Sequence, residues 1–187
     1  MLLNWLWDIG AVDGKIAASI REKRSLLLSP FIVLIAAQIH GLTTFYFKSV
    51  VGAGQTNLTE AGYYVVFGYM AMIASQLGLA LLLWGIGKVL GGAVSRFIDV
   101  FIAVGYAFLP YGILLAANTY HNFLRQAGVS FSNNPLPALI MFAAFVYFMY
   151  LLIRVLHLLT GFPMKRAVAC VVVSFVFISS FVYLFGY

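Results

Sequence analysis

Apolar residues in this chain come in five long runs separated by short polar breaks. The runs extend from about Pro30 to Phe47, Tyr63 to Gly87, Phe97 to Tyr120, Ala138 to Thr160 and Ala167 to the terminal Tyr187. A helix needs roughly 17–25 apolar residues to cross a bilayer, so each run is long enough, the first only just. Ser29-Pro30 reads as an N-cap followed by a first-turn proline, and Lys48 closes the first run. Lys88, a turn from Gly91-Gly92 to Arg96, and a tight basic turn at Gly161, Pro163, Lys165 and Arg166 punctuate the others. Polar loops occupy 49–62 and 121–137. The fifth run is rich enough in Val and Phe to suggest a strand in water. In lipid an isolated strand leaves its backbone groups unpaired, so a helix is expected. The pattern predicts an all-α integral membrane protein, a five-helix transmembrane bundle over residues 30–187.

Residues 1–29 are too polar to span. Trp5, Ile9, Val12, Ile16 and Ile20 recur at steps of three or four, which places them on one helical face, with Lys15, Arg21, Lys23 and Arg24 toward the end. A short amphipathic helix lying on the cytoplasmic membrane surface is expected. A frayed polar leader is the alternative, since Gly10 and Gly14 each weaken a helix.

Composition supports the membrane reading. Hydrophobic residues make up 64% of the chain and charged residues 9%, where a soluble domain has about 25% charged. A polar surface cannot be assembled from so few charges, so lipid must be the solvent for most of it. The net charge of +6 does not imply nucleic acid, because the basic residues flank the apolar runs as orientation signals do. Eight of them (Lys15, Arg21, Lys23, Arg24, Lys88, Arg96, Lys165 and Arg166) fall on one side of a five-span layout, and Lys48 and Arg125 on the other. The expected topology puts the N-terminus in the cytoplasm and the C-terminus outside. The single Cys170 lies in an apolar run and reads as a small apolar side chain.

Polar residues within spans are the candidates for function. Gln38 and His40 in the first span and Gln76 in the second lie near mid-span, where they form either an interhelical hydrogen-bond knot or the lining of a polar path. Asp99, at the start of the third span, is the candidate ion-pair partner of Arg154 in the fourth; Arg154 otherwise snorkels. Asn118, His121, Asn122 and Arg125 share one face of a helix end and read as a solvated cap. Pro110 bends the helix and removes the donor for the Tyr106 carbonyl, which then accepts either from a nearby Ser, Thr or water, with a closed core, or from Gln38, His40 or Gln76, with a polar pocket. No metal site is expected, since the three histidines lie at different depths. No catalytic residue or cofactor is expected either. Only Asp99 among the five acids is near a bundle interior, and neither a nucleophile elbow nor a phosphate loop is present.

The segment from Leu90 to Pro110 resembles the centre of the Yip1 domain. That family carries a Gly-Tyr-x-x-x-Pro motif in its third span, here Gly105, Tyr106 and Pro110, with a Gly-Gly turn ahead of it, here Gly91-Gly92. A second motif, Asp-Leu-x-Gly-Pro, precedes the first span; Leu27 and Pro30 match it, while its Asp and Gly are replaced. Five spans and a cytoplasmic N-terminus also agree. The resemblance implies a non-enzymatic membrane protein that organises membrane or partner proteins, in a trafficking-type or accessory role. Eukaryotic members bind Rab GTPases and have a long N-terminal region. The roughly 29 residues here make Rab GTPase binding doubtful and point to a bacterial member in the plasma (inner) membrane. The expected partners are the lipid bilayer and a membrane protein or second copy of the chain. The alternative is a small transporter or permease subunit with a polar path near Gln38, His40 and Gln76.

Overall fold

The computed structural model describes residues 28–51, 58–90, 96–126 and 135–185. The expected surface helix over Trp5 to Ile20, Leu27 of the second family motif, and the Gly91-Gly92 turn lie outside these residues. The described chain forms five α-helices: α1 (Leu28–Val51), α2 (Leu58–Val89), α3 (Phe97–Gln126), α4 (Leu136–Thr160) and α5 (Met164–Phe185). No strand occurs among the described residues, and the Val- and Phe-rich fifth run is helical, as an isolated segment in lipid must be.

Counted over the described residues, α1 to α4 are each long and apolar enough to cross a membrane. α5 is a 22-residue helix that opens on Lys165 and Arg166. The helices run further than the apolar runs that announce them. α2 has 32 residues, about 48 Å at 1.5 Å per residue, and starts at Leu58 rather than Tyr63. Glu60 in its first turn suits the positive end of the helix dipole. α3 continues to Gln126 through a segment expected as loop, because Phe47 of α1 holds Tyr120 and Phe123 at centroid distances of 5.2 and 4.8 Å.

Pro110 does not interrupt α3. Of α1 to α4 this helix is the most enclosed: 56% of its apolar window is buried, against 22 to 28% for the other three. α4 ends on Gly161 at φ +66, whose N–H donates to the His157 carbonyl, and Pro163 then prevents the helix from continuing.

Two compact units make up the molecule. One takes, among the described residues, Leu28–Ser29, Gln76–Tyr106 and the chain from Met149 onward. Its core contains Leu83, Val100, Val104, Leu151 and Val171. Buried Cys170 is a free thiol that donates to the Leu83 carbonyl at 3.3 Å, so it joins α5 to α2 as a small side chain. Lys88 lies over the Trp84 ring at 3.8 Å, and Trp84 meets Phe97 edge-on, an aromatic and basic anchor of the kind found at membrane boundaries.

The other unit takes 30–75 and 107–148. Here α1 packs through small residues. A methyl group added at Gly41 would come within 2.9 Å of the Tyr64 carbonyl oxygen, and one at Gly112 within 2.7 Å of the Ala36 Cβ and 2.8 Å of its Cα. Without a hydrophobic force between helices in lipid, such backbone approach is what supplies the attraction. Phe108, Tyr111 and Phe148 complete this core as an aromatic cluster.

Candidate functional site

Gly105, the first residue of the third-span motif, is buried at a meeting of three helices in the first unit. Gln76 of α2 reaches across it. Its Nε2 donates to the Phe101 carbonyl of α3 at 2.7 Å and to Ser29 Oγ of α1 at 3.2 Å. Gln76 and Ser29 are each 0% exposed. A methyl group at Gly105 would collide with Ser29 Oγ and lie 2.7 Å from Gln76 Nε2. The glycine is therefore the space in which the Ser29–Gln76 bridge lies. Sequence reasoning placed Gln76 in a polar contact but missed Ser29, because Ser-Pro at a helix start reads as a cap at the water boundary. It also placed the accepting carbonyl at Tyr106; the carbonyl that Gln76 reaches is that of Phe101. The Gln76 Oε1 atom is buried without a partner, which leaves the amide tied at one end only.

Gln38 and His40 do not share a face of α1, and Gln76 donates to Ser29 and Phe101. Gln38 is exposed on the side of α1 that carries exposed Phe31 and Leu42. At 100° per residue that side is opposite the face formed by Ile32, Val33, Ala36 and Ala37, which are all buried. His40 is on the packed side instead. It lines a cavity of about 350 Å³ in the second unit together with Thr44, Ser75 and Tyr111, and its Nδ1 is buried without a partner. The arrangement thus separates one structural amide, one outward amide and one cavity imidazole.

The ion pair expected between Asp99 and Arg154 is not formed. Asp99 pairs with Arg96, Oδ1 to Nη2 at 3.4 Å, and its Oδ2 accepts the Arg96 backbone N–H at 3.2 Å. Asp99 stands three residues into the first turn of α3 and reaches back to the residue ahead of the helix, as the acidic member of a capping box does. Among the described residues Arg154 has no carboxylate partner, and its Nε is buried without a hydrogen bond. Beside it on α4, His157 Nδ1 bonds the Phe162 carbonyl and ties the helix to the turn that follows.

Of the solvated-cap residues, Asn122 lines a second cavity of about 420 Å³ between the C-terminal parts of α1 and α3, while His121 is half-buried and Arg125 exposed. Lys48 and Gln126 share that cavity, which no local pattern announces because its two walls lie far apart in the chain. Among the described residues no three His, Cys, Asp or Glu side chains stand close enough to hold a metal ion. Pro110 is buried, and Pro30 falls in the first turn of α1, where its missing N–H has no intrahelical role.

The sequence model of the Yip1 domain matches residues 14–186, nearly the whole chain. No curated protein and no solved structure matches the sequence.

Proposed function

The chain belongs to the Yip1 domain family, and we propose that it is a non-enzymatic protein that organises the membrane by holding another membrane protein, or a second copy of itself, against α1. Gln38 carries this reading. Its amide lies mid-way along a 24-residue helix, exposed between Phe31 and Leu42. Lipid offers an amide neither donor nor acceptor, so an outward amide at that position is stabilised by a partner helix that supplies both. The bonds of Gln76 to Ser29 and Phe101 support the same reading, since they use an intramembrane polar group as adhesive between helices.

Affinity purification of the full chain from its own membrane tests this. Gln38→Leu is expected to lose a stoichiometric companion, or the dimer band of a crosslinked sample, while the protein stays folded and membrane-inserted. An unchanged companion profile for the variant would sink the reading.

A second reading, a small permease subunit, draws on the cavity at His40. Gln38 points away from that cavity, so the path reduces to His40, Thr44, Ser75 and Tyr111. Solute flux into liposomes containing only this protein, abolished by His40→Ala, would favour it.

For localisation we propose the inner membrane of a bacterium, with the N-terminus cytoplasmic and the C-terminus outside. Exposed Lys88, Arg96, Lys165 and Arg166 stand at the C-terminus of α2, the start of α3 and the start of α5, which alternation places on one side with the N-terminus.

A further inference from the structure

We infer that the groove between the C-terminal halves of α1 and α3 is a binding site for one anionic phospholipid, its phosphate at Lys48 and one acyl chain running inward.

The two cavities of the second unit share Thr44. On α1 their lining residues His40, Thr44 and Lys48 follow at steps of four, and on α3 Tyr111, Leu115, Thr119, Asn122 and Gln126 follow at steps of three or four. Each series is a single helical stripe, so the cavities are two stretches of one groove. The α3 stripe runs from Tyr111 to Gln126, about 22 Å along the helix. One leaflet with its headgroups is about 20–22 Å deep, half the full bilayer thickness. The groove is therefore as long as a single lipid molecule.

Its ends differ in chemistry. At the Lys48 end the side chains of Lys48, Asn122 and Gln126 offer an ammonium and two amides to a phosphate. Among the described residues no carboxylate lines this end, and Lys48 supplies its one charge. The Lys48 ammonium also lies 5.1 Å from the Tyr64 ring, which limits where it can swing. Thr44 and Thr119 spend their hydroxyl protons on the His40 and Leu115 carbonyls, so their oxygens remain acceptors for a headgroup hydroxyl. Phe47 and Phe123 form an aromatic wall beside them. Further along, Phe67, Ala71, Met72 and Leu115 give an apolar wall for an acyl chain, beside the polar atoms of His40, Ser75 and Tyr111. A basic side chain near a membrane surface favours an anionic lipid by a modest, additive amount, and here the amides add geometry to that charge.

Native mass spectrometry of the full chain in neutral detergent tests the assignment, with dioleoyl phosphatidylglycerol, dioleoyl phosphatidylcholine and inorganic phosphate as separate probes. One equivalent of phosphatidylglycerol should be retained in preference to phosphatidylcholine. Lys48→Gln should weaken that retention about fivefold, the effect of one basic contact. Thr119→Phe, which fills the groove without changing charge, should weaken it as well. Lys165→Gln, at an exposed cation elsewhere, should leave it unchanged. Equal retention of the two lipids, or full retention by Lys48→Gln, overturns the proposal. So does an equal loss in Lys48→Gln and Lys165→Gln, which would mean unspecific attraction of anionic lipid. Displacement of the lipid by an equimolar amount of phosphate would make this a free-anion site and overturn it too.

Discussion

A side chain at position 105 would have to displace the bridge that crosses it. The atoms in the way are Ser29 Oγ and Gln76 Nε2, the ends of short or tied side chains rather than of long flexible ones. Gly105→Ala is therefore expected to destabilise the protein by about 1–3 kcal/mol, the usual cost of overpacking, although the same change normally favours a helix. Removing the Ser29 hydroxyl should recover part of this loss, so Gly105→Ala with Ser29→Ala should melt above Gly105→Ala alone. Strictly additive effects in that cycle, read by thermal unfolding in detergent, would show that the two side chains do not meet. The motif glycine was legible in the sequence and its reason was not. Ser29 is 47 residues from Gln76, and nothing local distinguishes a buried serine at a helix start from a cap.

Among the helices, small residues decide which faces meet. Gly112 lies against the Ala36 backbone, which cannot yield, whereas nothing stands within 4 Å of a methyl group at Gly78. Gly112→Ala should lower stability, and Gly78→Ala should leave it unchanged or raise it by up to about 1 kcal/mol. Two equal melting shifts would refute the packing of α1 on α3. The start of α3 makes a separate prediction. Because Asp99 caps its own helix and pairs with Arg96, Asp99→Ala should cost about 1 kcal/mol and should be additive with Arg154→Ala within about 0.5 kcal/mol. A coupling energy well above that would restore a direct Asp99–Arg154 interaction. The existence of these helices was plain from the apolar runs. Their ends were not, since Phe123 extends α3 by stacking on a residue from another helix. The facing of α1 was equally hidden: Gln38 and His40 are two residues apart, and only the packing of Ala36, Ala37 and Gly41 shows that one points outward and the other in.

At the scale of the whole chain, charge and helix order together predict which side each end occupies. Cytoplasmic loops accumulate Lys and Arg, and the bias acts through short loops within about 15–20 residues of the helix ends. The turns after α2 and after α4 are both short. They carry exposed Lys88 and Arg96 in one and lead into exposed Lys165 and Arg166 in the other. The ends of α1 and α3 carry Lys48 and Arg125. If every helix crosses, alternation puts the two richer turns on the same side as the N-terminus, where Lys15, Arg21, Lys23 and Arg24 add to the bias. A topology reporter inserted between Gly161 and Lys165 should then be active in the cytoplasm, and one fused after Tyr187 should be active outside it. The second fusion is the more demanding, because it requires α5 to cross with two cations at its start and none in its last turn. If α5 crosses, that distribution favours a cytoplasmic start for it. A cytoplasmic reporter after Tyr187, in a protein that still melts cooperatively, would mean that α5 does not cross, and both the orientation and the five-span count would fall with it.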